Sequence, residues 1–282
     1  MTGMSATAPV TDHDLLEAAR GGDARALEQL LERYQSRIYR FGLKMCRDSE
    51  DARDVVQDTL LAAARSLRDF RGASSLSTWL YTITRSFCIK KRRRSKFAPE
   101  SEVSLDSEAG PEALAAADPG RGPDELAASR EIEEALERAI RALPPAQREI
   151  LMLRDVEGLT APEVAEVTGL KVEAVKSRLH RARIALRAQL GPLLGLPRDH
   201  GPASPACPDV FTALERHLDD ELSPETCAEI ERHLGGCRRC QGVCDSLKRT
   251  LRLCQAAPAP AVPGDLQKAI RSGIRKLLDE GR

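Results

Sequence analysis

The sequence predicts an all-α protein: two helical domains joined by a flexible connector, then a small helical cysteine-rich module. Three observations predict it. Apolar residues recur at helical spacing along most of the chain, and the strict alternation of a half-buried strand is scarce. Aromatic residues make up only 3% of the composition, so cores must be filled by Leu, Ala, Val and Ile. Of eight cysteines, Cys207, Cys227, Cys237, Cys240, Cys244 and Cys254 fall in the last third, which marks that part as a separate module. The 282 residues suffice for two or three small domains. A net charge of +0 excludes a uniformly basic nucleic-acid coat, and the charge is instead segregated along the chain. No apolar run approaches membrane-spanning length and no signal-peptide pattern is visible, so a cytoplasmic location is expected. In that compartment cysteines serve as thiols or metal ligands rather than disulfides.

Residues 1–10 are small and polar and are expected to lack fixed structure. A helical pattern starts at Asp12. The stretch 24–45 carries Leu27, Leu30, Leu31, Tyr34, Ile38, Phe41 and Met45 on one stripe. Asp48 or Ser49 caps the next helix, 50–66, whose apolar face is Ala52, Val55, Val56, Thr59, Leu60 and Ala63. Its outer face, Glu50, Asp51, Asp54, Gln57 and Asp58, is acidic and polar, and a solvated face accounts for that pattern equally well. A loop punctuated by Gly72 follows. Ser75 or Ser77 then caps a helix that ends in the basic run 90–94. Together these make a first domain over 12–97.

Residues 98–129 read as a linker rich in Pro, Gly and Ala. Eight acids there face only Arg121, a composition that cannot bury a core. Over 130–192 lies the string LPPAQREILMLRDVEGLTAPEVAEVTGLKVEAVKSRLHRARIAL. Pro145 suits a first helical position and Gly158 a stop. Thr160 with Glu163 is a capping-box pattern, Pro162 sits harmlessly in the first turn, and Gly169 suits a left-handed C′ position. The helix 172–190 then places Val175, Leu179, Ala182 and Leu186 on one face and Lys176, Arg178, His180, Arg181, Arg183 and Arg187 on the other. No acid falls between Ala174 and Arg198, unlike the mixed-sign face of a merely soluble helix. A short helix, a tight turn with Gly and a basic helix form a helix-turn-helix pattern, whose second helix enters the major groove.

This string resembles region 4 of the sigma-70 family, in its extracytoplasmic-function branch. The resemblance implies that Lys176, Ser177, His180 and Arg181 face the bases of a minus-thirty-five element, with Arg178 and Arg183 near phosphates. Two earlier strings agree. DARDVVQDTLL resembles region 2.2, implying that Asp51, Asp54, Gln57 and Asp58 contact the β′ clamp helices of core RNA polymerase. FRGASSLSTWLYTITRSFCIKKRRR is similar to regions 2.3 and 2.4, which open the minus-ten element. Trp79 would stack there and Arg85, Lys90, Lys91, Arg92 and Arg93 would contact promoter DNA. Tyr81 is an alternative stacking residue, and either ring fits a core equally. Ser86 and Lys90 depart from the family, which has Asn and Asp at or near these places. The linker would then replace a folded region 3, or serve as a plain tether.

The module spans 204–256. His233-x3-Cys237-x2-Cys240 places two thiolates one helical turn apart after a helix from about 224 that Gly235 and Gly236 break. A helix N-terminus with Arg238 and Arg239 nearby favours the thiolate form. Tetrahedral zinc takes four N or S ligands, and a closed set implies a structural role. The segment resembles the zinc-binding anti-sigma fold. Its pattern implies Cys207, His233, Cys237 and Cys240 as ligands of Zn²⁺ or another soft metal, with Cys227 and His217 competing for the fourth place. Cys244 and Cys254 exceed the pattern. They permit a second soft-metal or redox site, or are buried structural thiols. A last amphipathic helix, 264–280, packs on the earlier domains or stays free.

The reading is a non-enzymatic sigma factor that takes no small-molecule substrate and meets no membrane. It would bind core polymerase and promoter DNA and be regulated in cis by a tail answering a metal or redox signal. The alternative is a helix-turn-helix regulator acting without core polymerase, with a purely structural zinc module. A metallohydrolase would need an open coordination position and a general base, and the sequence offers neither.

Overall fold

The computed structural model describes residues 10–46, 48–97, 123–194, 207–218 and 221–280. The expected unstructured N-terminus and acidic linker lie largely outside them. In chain order the helices are α1 (Asp12–Arg20), α2 (Ala24–Met45), α3 (Ser49–Ser66), α4 (Leu76–Phe97), α5 (Pro123–Ala142), α6 (Pro145–Leu151), α7 (Ala161–Thr168), α8 (Val172–Leu190), α9 (Val210–Leu218), α10 (Pro224–Gly236), α11 (Arg238–Ala256) and α12 (Gly264–Glu280). The described residues contain no strand, and no helix among them is long and apolar enough to cross a membrane. The chain divides into two compact units, residues 1–110 with 259–282, and residues 111–258.

The first unit is α1–α4 with α12. Thr11 and Asp14 form a capping box on α1, Asp23 caps α2, and Asp48 caps α3 by accepting from the Asp51 amide at 2.7 Å. Ser75, rather than Ser77, caps α4, its Oγ accepting from the Thr78 amide at 3.2 Å. The predicted stripe on α2 is the core face. Leu30, Leu31, Ile38 and Phe41 are fully buried with Val55, Val56 and Leu60 of α3. The last helix is not free. Leu266, Ile270 and Ile274 of α12, one turn apart, are buried in the same cluster as α2 and α3. Burying each such side chain stabilises the docked helix by about 1.5–3 kcal/mol.

The second unit holds α5–α11. Helix α5 starts at Pro123, seven residues inside the expected linker. Pro at the first helical position favours that start, a local signal the linker's composition hid. Helix α6 passes into a π-helical stretch, Met152–Val156, before Gly158 turns the chain at φ +79°. The Thr160–Glu163 capping box is formed, and Gly169 closes α7 at φ +69°, a conformation that favours glycine. Val175, Leu179, Ala182 and Leu186 of α8 face inward as predicted. A smaller core joins Val210, Phe211 and Leu214 of α9 to Cys244, Leu247 and Leu251 of α11. Gly235 and Gly236 do not break α10. They form its last turn with ordinary negative φ, and the chain leaves the helix at Cys237, whose backbone is extended.

Candidate metal centre and nucleic-acid interface

Cys207, His233, Cys237 and Cys240 converge, with one ligand atom from each lying within 4.8 Å of the others. Cys237 is the N-cap of α11 and Cys240 lies in its first turn. The Cys240 amide, a hydrogen bond with the Cys240 thiol, the Cys207 thiol and the Arg239 amide together hold the Cys237 thiol below its ordinary value, although partial burial opposes them. Burial, with Cys237 and Cys207 beside it, pushes the Cys240 thiol up to about 12. Sulfurs this close, 3.9 Å between Cys207 and Cys237, repel as thiolates unless a cation lies between them. His233 Nε2 is buried with no hydrogen-bond partner. An imidazole nitrogen left unpaired beside three sulfurs suits a soft divalent metal, and the donor set fits a closed tetrahedral site. The competitors lie elsewhere: the Cys227 Sγ faces His217 Nδ1 at 3.7 Å.

The extra cysteines are interior. Cys244 is 5% exposed and Cys254 is fully buried. Burial, and then the Asp155 carboxylate, push the Cys254 thiol far above its usual value, with Arg183 opposing. A thiol held protonated is a poor nucleophile and metal ligand, and its full burial fits a packing role.

The cationic face of α8 is engaged by the module. Lys176 pairs with Glu221. His180 Nδ1 lies 2.6 Å from Glu215 Oε2, and its ring meets Phe211 edge-on at 5.0 Å. Arg187 Nε donates to Ser246 Oγ at 2.5 Å. Ser177 and Arg181 are exposed, with Arg181 donating to the Ser177 carbonyl at 3.2 Å, and Arg178 is half-buried.

Arg183, expected near phosphates, points inward instead. It is 3% exposed and donates twice to Asp155, at 2.9 and 2.6 Å. A further N–H reaches Glu215 at 3.3 Å. Burial alone would make this guanidinium easier to deprotonate, but Asp155 and Glu215 outweigh it. The position explains the error: residue 183 follows Leu179 by one turn and precedes Leu186 by three residues, so it borders the apolar stripe. Sequence reasoning also missed Glu215, Glu221 and Asp155. Of these only Glu221 carried an advance signal, the acid-rich HLDDELSPE string that follows an acid-free one.

In the first unit, Lys91 pairs with Asp54 and lies 3.3 Å from Asp51. A cation expected on DNA thus faces two acids expected on polymerase, at the junction of α3 and α4. Asp54 and Asp58 are exposed and Gln57 half-buried. Lys90 stands over the Phe87 ring at 4.9 Å, Arg85 is half-buried, and Arg92 and Arg93 are exposed. Trp79 is partly buried with its ring 5.0 Å from Phe70. Tyr81 is fully buried and belongs to the core.

Comparison with known proteins places these features in families. Residues 30–97 match the family model "Sigma-70 region 2" and 133–186 match "Sigma-70, region 4". Residues 207–241 match a family described as "Putative zinc-finger". The chain is 34% identical over 187 residues to the RNA polymerase sigma-H factor of Pseudomonas aeruginosa, covering 65% of this chain and 95% of that protein. It is 32% identical over 181 residues to the ECF RNA polymerase sigma factor SigM of Mycobacterium tuberculosis, covering 64% and 85%. A solved structure of CnrH in complex with the cytosolic domain of CnrY aligns at TM-score 0.45 and 27% identity, covering 64% of this chain and 97% of that one.

Proposed function

The chain belongs to the extracytoplasmic-function sigma factors of the sigma-70 family, and from that premise we propose that its cysteine-rich module restrains promoter recognition in cis. In this reading the first unit docks on core RNA polymerase through Asp51, Asp54, Gln57 and Asp58. It meets the minus-ten element through Trp79, Arg85, Lys90, Lys91, Arg92 and Arg93. Helix α8 reads the minus-thirty-five element with Lys176, Ser177, His180 and Arg181, while Arg178 meets phosphate. The protein acts in the cytoplasm and catalyses no reaction of its own.

One observation carries the restraint: Glu215 and Glu221 of the module pair with His180, Arg183 and Lys176 of α8. Carboxylates stand where DNA phosphates and bases would, so module and promoter compete for one face. Arg183 acts from inside, fixing α8 against the π-helical stretch through Asp155. Cys207, His233, Cys237 and Cys240 would hold a zinc ion, which cross-links α10, α11 and the chain before α9. That cross-link keeps Glu215 and Glu221 in position. Losing or exchanging the metal, or oxidising the thiolates, frees α8.

Run-off transcription with core polymerase tests this. Full-length chain carrying Glu215→Gln and Glu221→Gln is expected to fire its promoter more strongly than the unaltered chain. The unaltered chain is expected to gain activity when its metal is chelated. Equal output from all of these overturns the restraint, and no output from any overturns the promoter reading.

A further inference from the structure

Six of the eight cysteines belong to the module, and neither the metal centre nor the promoter reading uses the other two. Cys46 and Cys88 are 42 residues apart in the chain, yet their sulfurs lie 4.0 Å from one another in the first unit. Cys46 is the C-cap of α2, where the backbone turns extended, and its amide donates to the Gly42 carbonyl at 2.8 Å. Cys88 lies within α4 and is 3% exposed.

The surrounding contacts hold this pair in place. One turn before Cys46, a Cβ added at Gly42 would lie 3.4 Å from the Ala52 carbonyl oxygen, so the end of α2 rests closely on α3. Phe41 of α2 meets Tyr81 of α4 edge-on at 5.5 Å, which fixes those two helices against each other. Three residues after Cys88, Lys91 pairs with Asp54 of α3 and lies 3.3 Å from Asp51. Two thiols held at contact by rigid helices react as one intramolecular pair, without the entropy cost of finding each other. Their exposures differ: Cys46 is half-buried and Cys88 buried. A sulfur that solvent reaches beside one that it does not is the layout of an attacking thiol with its resolving partner.

We propose that Cys46 and Cys88 form a reversible disulfide when the protein meets a hydroperoxide, latching α4 to the end of α2. Cys46, as its thiolate, attacks the hydroperoxide. An S–O bond forms, the O–O bond breaks, and the departing oxygen takes up the proton that the thiol released, leaving as water or an alcohol. The Cys88 sulfur then attacks the Cys46 sulfenic acid. The S–S bond forms, the S–O bond breaks, and the hydroxyl leaves as water with the Cys88 proton. Two electrons pass from the sulfur pair to the peroxide, and a dithiol reductant reverses the step by exchange. The sulfurs close from 4.0 Å to a bond of about 2.05 Å. The bond itself is independent of the promoter reading, but α4 is the helix to which the minus-ten contacts were assigned. The first unit thereby answers oxidants at a place separate from the module's metal-type ligands.

The test treats metal-loaded full-length protein with hydrogen peroxide, alkylates it under denaturing conditions, and maps the peptides by mass spectrometry. A linked peptide pair carrying Cys46 and Cys88 is expected, and it is expected to vanish with dithiothreitol. Cys88→Ser removes the resolving thiol and is expected to raise trapping of the Cys46 sulfenic acid by dimedone severalfold. In the oxidised unaltered protein, α4 amides around Cys88 are expected to exchange about tenfold more slowly, the response of a segment that has gained a cross-link. The same treatment of Cys46→Ser is expected to leave them unchanged. Both thiols still open to alkylation after peroxide overturns the proposal. So does Cys46 oxidised to its sulfinic acid with no linked peptide, or either cysteine bonded elsewhere. Should a serine variant fail to fold, the peptide map of the unaltered protein decides.

Discussion

The two units are covered in opposite ways. On α8 the cover is a folded module that meets its target mainly through charge. Glu215 and Glu221 take cations, and a buried Arg183–Asp155 pair lies beneath them. On α3 the cover is a single helix held by an apolar ridge, with charges only along its margins. A charge-based cover needs its acids held in register, which four converging metal-type ligands can provide. A hydrophobic ridge needs no such frame, because burial is non-directional. Only the first kind of cover can therefore be governed by a metal.

The comparison breaks most readily at the ligands. Cys237→Ser or Cys240→Ser is expected to abolish stoichiometric metal binding, and with it the order of α9–α11, since a structural zinc site contributes about 10–16 kcal/mol of apparent binding energy. Metal analysis with amide exchange reads both, and α12 protection is expected to stay unchanged. Next in size is Arg183→Ala, which strands the buried Asp155 carboxylate and is expected to cost the second unit about 3–5 kcal/mol. Replacing both partners with apolar residues of similar volume is expected to recover most of that in denaturant unfolding. Ile270→Ala, cutting into the ridge, is expected to destabilise α12 docking by about 2–5 kcal/mol, read as faster exchange of its amides while those of α8 do not change.

The smallest effects lie in pH. The Arg53 guanidinium holds the Asp265 carboxyl below its ordinary value of 3.8. Its contribution to α12 docking is present above that pH and is lost as pH falls through the lower folded value. In the second unit the sign reverses. Burial raises the Cys254 thiol above its ordinary 9.0, so the folded unit retains a proton that the unfolded chain releases. That contribution is complete below pH 9.0 and is lost as pH rises. Unfolding monitored separately in each unit is expected to show Asp265→Asn flattening the acid limb of the first. Cys254→Ala is expected to flatten the alkaline limb of the second.

What was legible in the sequence was local. Thr160 with Glu163, Gly169 and the stripe from Val175 to Leu186 fixed α7 and α8 to the residue, because caps and periodicity act within a few turns. The metal-type cluster was legible because its His and Cys spacings are set by single helical turns, and Cys207 joined it as the pattern implied. The partnerships were not. Lys176 finds Glu221 45 residues away, and Arg53 finds Asp265 212 residues away. No periodicity within either helix encodes the other. Arg183 falls between these cases, since its place beside the apolar stripe was visible and its buried acid was not.

The chain completes the first four helices, runs through the whole second unit, and only then returns to lay α12 on α3. About 170 residues must be translated in between, roughly ten to thirty seconds of ribosome time at ordinary elongation rates. Each nascent molecule thus passes once through a period in which α3 is folded and bare.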